Sequence, residues 1–399
     1  MIPNNIVSSI NALDRTAPIN IEYNSDYNYA DSVLFGTDAA PDNNQADLSG
    51  KVNINVAAND NNDAIKFFAT TNGSTSYNTN LNLTNDVTVE QNNANNYALH
   101  TKGQSLAYAI LSVNPNKSKD NTIKVTGNVF AEENSAIHLY LNNKDSYFAG
   151  EFKANASNIT GETSTFDLHE NATWYVPSSV TTLDMNNANL KLNLSGGILD
   201  FAHTGPNKNM SDRSDDDDVN ISNYTGNGND TGLNNATFII RGTTSTGENG
   251  TQIVFSDSIL NKEETYKLLL AYAPDLTSQQ ILDALKNGQV VFDLTGLTNN
   301  HLATIIGGLY NQNADGGLTS MQLETNVVKE NENYIIKLTP KYDSNGNVTT
   351  SDGPAMQMAK SAGVAAQAML AAARADNNDL MRRMGDLRNN EGEAGAWVC

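Results

Sequence analysis

Cysteine is all but missing. The only one is Cys399, so no internal disulfide framework braces the chain. A protein threaded unfolded through a narrow pore cannot carry closed disulfide loops, and a cytosolic protein also lacks them, so this absence leaves both settings open. Positive charge is scarce as well: 24 Lys and Arg stand against 45 Asp and Glu, a net charge of −21. Such a chain is repelled by nucleic acid and by anionic lipid, which excludes both as partners. The acidity is not interrupted by a basic cluster before Arg382-Arg383. Long apolar runs are absent: no window holds about 18 consecutive apolar residues, so no transmembrane helix is expected. The stretch Met1–Ile10 has neither a basic start nor a long apolar core, so an export signal, if there is one, is expected upstream.

Recognisable catalytic spacings are also lacking. The histidines are His100, His138, His169, His203 and His301, and none stands in a metal-ligand spacing such as His-Glu-x-x-His. Gly103-Gln104-Ser105-Leu106-Ala107 resembles a nucleophile elbow, but its last glycine is replaced, and it reads as a coincidence. No phosphate-binding loop and no dinucleotide fingerprint is present. Asp215-Asp216-Asp217-Asp218 offers four carboxylates without the turning glycine or the distal glutamate of a calcium loop, and reads as a solvated loop. Asp343-Ser344-Asn345-Gly346-Asn347 reads as a hairpin turn at Asn345-Gly346. The expectation is a non-enzyme with no catalytic residue, cofactor or metal.

What fills the chain instead is Asn, Thr, Ser and Gly, with charged residues at only 17%. At 399 residues it is too long for one compact core of ordinary size, so it is elongated or divided. Up to residue 235, short alternating runs recur between Asn, Asp, Gly and Ser. Val52–Val56, Leu81–Leu83, Val87–Val89, Thr122–Val125, Ile137–Leu141, Leu190–Leu194 and Ile198–Phe201 all alternate apolar with polar residues, the mark of strands with one buried face. His138 and His169 fall within such patterns. A loose repeat accompanies them: Asn134-Ser135-Ala136-Ile137, Asn171-Ala172-Thr173-Trp174, Asn187-Ala188-Asn189-Leu190 and Asn235-Ala236-Thr237-Phe238 each run Asn, small, any residue, apolar. Irregular spacing with a recurrent turn favours a parallel β-helix over a sandwich, with asparagine amides stacking between neighbouring rungs. Residues 203–234 read as an excursion from the coil.

From 236 to 350 the apolar density rises. Phe238–Gly242, Gln252–Phe255, Val290–Leu294, Met321–Leu323 and Tyr334–Leu338 read as strands. Ser278–Gly288 reads as a short helix capped by Thr277 or Ser278 and ended by Gly288. A solenoid needs a cap over its last open rung, and this stretch is placed to supply it. Asp352 and Pro354 open a second helix, an Ala-rich run over 355–375 with Met356, Met358, Val364, Met369 and Leu370. Its face is slim, and Gln357, Lys360, Gln367 and Arg374 keep it from facing lipid.

After that helix come Asn377-Asn378-Asp379-Leu380-Met381-Arg382-Arg383-Met384-Gly385-Asp386-Leu387-Arg388 and Gly392-Glu393-Ala394-Gly395-Ala396-Trp397. This run resembles the junction of bacterial autotransporters, proteins of type V secretion, where a secreted passenger meets its outer-membrane β-barrel. Ser146–Glu151 and Ala172–Pro177 also look like passenger β-helices of that family, pertactin-like ones. The resemblance implies a mainly β fold, a right-handed parallel β-helix (solenoid) with a C-terminal cap and a terminal α-helix. It implies four parts: a β-helix passenger over 1–235, an autochaperone-like cap over 236–350, a linker α-helix over 351–390, and over 391–399 the start of a truncated barrel. The junction residues it marks are Arg383, Met384, Gly385, Asp386, Leu387, Arg388, Gly395 and Trp397. In some members the chain is cut at an Asn-Asn pair just before this motif. Here that bond is Asn378–Asp379, with Asp in place of the second Asn. The implied setting is the cell outer membrane, surface-exposed or secreted. The implied partners are the barrel, its assembly machinery and a host surface ligand. The implied function is that of an adhesin or other virulence-associated binding protein. A vacuolating-cytotoxin-like toxin and the stalk of an enzyme whose catalytic domain lies upstream stay open as alternatives.

Overall fold

The computed structural model describes residues 44–352 together with the strands Ile19–Glu22 and Leu34–Phe35. Within that span it leaves out 57, 59–62, 70–76, 104–106, 156–161, 208, 214–217, 227–231, 245–249, 257, 259, 261–262, 295–302, 311–318 and 331–332. The chain is mainly β, built on parallel sheets.

The first sheet has ten strands, all parallel, running from Ile19–Glu22 through Val52–Val56, Val87–Gln91, Ile123–Thr126 and onward to Thr304–Tyr310. A second sheet holds Ile65–Ala69, Tyr97–Gly103, Asn128–Ala131 and Phe152–Ala154, and a third holds Tyr77–Leu83, Ala107–Val113, Ser135–Leu141, Ser164–Leu168 and Leu190–Asn193. Up to Ser164–Leu168 the chain visits the three sheets in strict rotation, so each strand but Phe152–Ala154, the last of the second sheet, pairs with the strand three places later. From Thr182–Asp184 a fourth sheet takes the second sheet's place in the order, continuing through Val219–Ser222, Ile253–Ser256 and Gln289–Leu294.

Alternation explains why these residues make these strands. Val52–Val56 buries Val52, Ile54 and Val56 and leaves Asn53 and Asn55 exposed, and Ile65–Ala69 and Val87–Gln91 bury every second residue in the same way. Parallel sheets usually carry continuous apolar runs because helices cover both faces. Along these three strands only one face is covered, so the period of two survives. The inward side chains meet in one apolar cluster reaching from Val52 to Leu338. At its centre Phe148, Phe166 and Trp174 pack together, with Phe148 and Phe166 edge to face at 5.4 Å and Phe166 and Trp174 edge to face at 5.1 Å. The indole Nε1 of Trp174 donates to the carbonyl of Gly150 at 2.9 Å, so the buried ring keeps its polar bond.

The recurrent asparagines serve two different corners. Asn171 and Asn235 precede strands of the first sheet, with left-handed φ of 62° and 59°. Leu194-Ser195-Gly196-Gly197 makes the same corner, with Gly196 at φ 74° where Asn stands in the others. Backbone bonds tie these corners to one another: Asn171 N–H donates to Gly196 O and Gly196 N–H to Asn234 O, each at 2.9 Å. Asn134 and Asn187 instead precede strands of the third sheet. Asn134 is left-handed at 53°, whereas Asn187 caps its strand through its side chain, its Oδ1 accepting from the N–H groups of Asn189 and Leu190. Between rungs, asparagine amides bond chiefly to carbonyls of the neighbouring circuit: Asn85 to Ser49 O, Asn92 to Val56 O, and Asn121 to Thr84 O, at 2.9, 3.0 and 2.9 Å. The amide-on-amide stack expected from the sequence is confined to contacts such as Asn92 Nδ2 to Asn55 Oδ1 at 3.3 Å.

Parallel pairing runs on past residue 235, where Ile198–Asp200 pairs with Thr237–Arg241. Antiparallel order enters the main sheets with Asn333–Pro340, which pairs with Gln289–Leu294 on one side and Leu323–Glu330 on the other. Helix α1, Ser278–Leu285, packs on Asn333–Pro340 through buried Ile281 and Leu285. Thr277 caps it in a full capping box with Gln280, and the turn beyond it ends at Gly288. The strand Thr304–Tyr310 has no counterpart among the runs read from the sequence, because Gly307-Gly308 interrupts its pattern. A Cβ on Gly307 would lie 2.2 Å from Leu338 Cδ2, so the hairpin's close approach accounts for the glycine there. Among the described residues no helix is long and apolar enough to cross a membrane.

Gly150 and Gly127 stack at the corner between the first and second sheets, and a Cβ on Gly150 would sit 2.2 Å from Gly127 O, a backbone atom that cannot swing aside. Gly150→Ala should therefore destabilise the fold by about 1–3 kcal/mol in urea unfolding. Gly205→Ala, where nothing lies within 4 Å, should stay within about 0.5 kcal/mol of the parent. Equal effects at the two glycines would mean the corner is not packed as described.

Candidate functional site

Charged and polar side chains gather at the corner joining the third sheet to the first. Strand alternation places Tyr140 and Asp167 side by side on neighbouring strands, Ser135–Leu141 and Ser164–Leu168. His169 lies one residue beyond the second strand, not within it. Lys117 comes in from the preceding circuit. Its Nζ bonds Asp167 Oδ2 at 2.6 Å and sits 4.6 Å from the centre of the Tyr140 ring. His169 Nδ1 donates to Ser195 O at 2.6 Å, and its Nε2 is 3.9 Å from Asp167 Oδ2. On the outer rim Lys119 Nζ meets Glu170 Oε1 at 2.5 Å. An open cleft of about 500 Å³ lies beside them, bounded by Lys119, Asn142, His169, Glu170, Asn171 and Ser195.

The electrostatics follow from burial and pairing. Asp167 is 3% exposed, and burial alone would raise its pKa. The nearby His169 ring and the hydrogen bond from Lys117, with their charges, outweigh burial and hold it below the ordinary carboxylate value. His169 is raised above the ordinary imidazole value, chiefly by the Asp167 carboxylate close to it, with burial opposing and the Ser195 carbonyl helping. The Tyr140 hydroxyl is pushed up to about 12 by burial, then by the charges of Asp167 and Glu162. Next to it His138 is lowered, because burial outweighs the pull of Glu162, whose carboxylate lies 3.5 Å from Nε2. His138 Nδ1 has no hydrogen-bond partner among the described residues, which suits a neutral ring.

Two more histidines are held by carboxylates. His100 lies between Asp63 and Glu132, at 2.6 and 2.9 Å. His203 Nδ1 lies 3.0 and 2.9 Å from the two oxygens of Asp200. Both Asp200 and His203 are buried, and the Tyr310 ring lies over the imidazole at 5.0 Å. Among the described residues no hydroxyl is hydrogen-bonded to a histidine nitrogen, and no group of three or more His, Cys, Asp or Glu could hold a metal ion. Asp343 makes a turn, not a ligand cluster: its Oδ1 accepts from the N–H groups of Asn345 and Asn347, with Gly346 at φ 82°. What the corner can do chemically is present paired charges, an imidazole and amides to a polar ligand.

The junction residues Arg383, Met384, Gly385, Asp386, Leu387, Arg388, Gly395 and Trp397 lie outside the described residues, as do Asn378 and Asp379. So do the helix read over 355–375, Ser105, His301 and Asp215–Asp217. The partners Asp63, Lys117, Glu132 and Asp167 carried no sequence signal, because each reaches a side chain at least 32 residues away. No family model, no curated protein and no solved structure matches the chain.

The Asp167–His169 pair sets a pH window. Asp167 has a lowered folded pKa, so its contribution is present above the unfolded carboxylate value and lost as pH falls through the lowered one. His169 has a raised folded pKa, so its contribution is complete below the unfolded imidazole value and lost as pH rises through the raised one. The pair should stabilise most between about pH 4 and about pH 6.5. Asp167→Asn should flatten both limbs of a stability–pH profile. Lys117→Met should cost about 1–3 kcal/mol in the same assay by leaving the buried carboxylate short of a bond. An unchanged profile in Asp167→Asn would remove the pair from the account.

Proposed function

We propose that the chain is the C-terminal part of an autotransporter passenger, displayed at or released from a Gram-negative outer membrane and acting by contact, as an adhesin or related virulence-associated binding protein. On this reading the parallel sheets wind as a right-handed β-helix, residues 236–350 close its end as a cap, and 355–375 link it to a barrel beginning near Gly395-Ala396-Trp397. The observation that carries the reading is the ten-stranded parallel sheet, whose neighbouring strands pair residues 23–39 apart in the chain. That arrangement multiplies outward faces and corners along one axis, which suits binding through many weak polar contacts. Asparagine-rich corners, the scarcity of positive charge and the lone Cys399 support it. A cysteine-poor chain crosses a pore unfolded without closed loops to pass. The junction run Arg383–Arg388 supports the placement next to a barrel.

The test is to join the full chain, in frame, to an export signal and an outer-membrane barrel in a Gram-negative host. The passenger should become accessible to external protease on intact cells. Those cells should bind epithelial or matrix-coated surfaces several-fold more than cells carrying the barrel alone. Display without added binding would remove the adhesin reading, and failure to reach the surface would remove the passenger reading.

A further inference from the structure

The second sheet carries on its outer face a group of rings that the proposed function does not use. Phe68, Tyr97, His100 and Phe130 come from three successive strands, and His100 lies among the other three. Its imidazole is stacked on Phe130 at 5.6 Å and 19°, tilted against Tyr97 at 4.8 Å, and edge-on to Phe68 at 5.2 Å. Asp63, just before Ile65–Ala69, reaches Nδ1 at 2.6 Å from one side. Glu132, just after Asn128–Ala131, reaches Nε2 at 2.9 Å from the other. His100 and Asp63 side chains are 8% and 9% exposed, so water competes little for these bonds.

The donors can be assigned from the chemistry. Asp63 Oδ1 already accepts the N–H of Tyr97 at 2.9 Å, and Lys66 Nζ stands 4.0 Å from Oδ2. Glu132 Oε2 takes Lys102 Nζ at 2.6 Å. In both carboxylates burial works toward protonation, and the bonds from His100 with those from Tyr97 or Lys102 outweigh it and hold the group below its ordinary value. An ionised carboxylate accepts hydrogen bonds and has none to donate, so each ring nitrogen must supply its own proton. Two protons on one imidazole make the cation, and the Phe130 face beside it suits a cation. The charged groups around the ring are Lys66 from the preceding strand and Asp63 just before it, Lys102 from its own strand, and Glu132 just after the following one, with Glu133 acting on Lys102.

We propose that His100 is a proton-operated clamp: as an imidazolium it ties three successive strands of the second sheet together, and loss of one ring proton to solvent on the alkaline side releases one carboxylate and lets that face open locally. A neutral ring keeps a single N–H, and its other nitrogen then turns a lone pair toward a carboxylate oxygen within 3 Å. The opening stays local because the backbone ladder persists, with Ala64 N–H on Tyr97 O and Glu132 N–H on Thr101 O. The proposal does not depend on the passenger reading.

The experiment is amide hydrogen exchange on the full chain at about pH 5.5 and about pH 8.5, corrected for intrinsic exchange. Residues 65–69, 97–103 and 128–131 should lose roughly tenfold in protection at the higher pH, while 219–222 should not. His100→Gln should abolish that difference. Equal protection of 65–69, 97–103 and 128–131 at both pH values in the parent, or an undiminished pH dependence in His100→Gln, would overturn the clamp. Should His100→Gln fail to fold, nitrogen-15 spectra of the parent at the lower pH decide. Two solvent-protected ring N–H groups on His100 support the clamp, and a single one overturns it.

Discussion

Every circuit of this chain depends on the hydrogen-bonding demand of a parallel strand. A strand such as Val87–Gln91 satisfies its backbone only by pairing with Val52–Val56 on one side and Ile123–Thr126 on the other. None of these strands buries its apolar face alone, and each is too short to be stable by itself. The fold is therefore a sum of neighbour terms, in which one circuit presents both the backbone edge and the apolar platform for the next. The continuity of the apolar cluster from Val52 to Leu338 is the packing side of the same constraint.

The corners carry what the strands cannot. Between circuits the backbone must turn within a few residues and still satisfy its polar groups. Left-handed Asn171, Gly196 and Asn235 do this at one corner, and Asn85, Asn92 and Asn121 donate side-chain amides to carbonyls one circuit away. A short polar side chain that tolerates positive φ and can cap a neighbour is what the position requires, which accounts for an asparagine-rich chain. Among the described residues the pairing changes late in the chain. Asn333–Pro340 joins the fourth sheet antiparallel, and the hairpin it forms with Leu323–Glu330 comes close enough to Thr304–Tyr310 to require Gly307. An added antiparallel hairpin limits how far a parallel edge can go on recruiting strands.

Charge in this structure works across circuits. Lys117 meets Asp167 fifty residues on, and His100 spans from Asp63 to Glu132. The net charge of −21 does not make the outer faces uniformly acidic at short range, because lysines and histidines sit where carboxylates from adjacent circuits converge. Such contacts tie neighbouring circuits together at the surface as the apolar cluster does inside. They also make individual faces sensitive to protonation.

The strands themselves were legible in the sequence. Alternation at Val52–Val56, Ile137–Leu141 and Leu190–Leu194 follows from the two-residue period of a pleated chain, and Thr277 with Gln280 announced the start of α1. The asparagine turns were legible as turns. That they belong to two different corners, and that Gly196 is a third member of one of them, was not, because a turn's place depends on which sheet its flanking strands join. Partners were hidden for the same reason. Strand alternation fixes which face a side chain takes, but only the register between circuits decides that Lys66, His100 and Phe130 fall in line. Circuit length varies with the loops at little entropic cost, so no fixed spacing in the chain could have placed Asp63 or Glu132 beside His100.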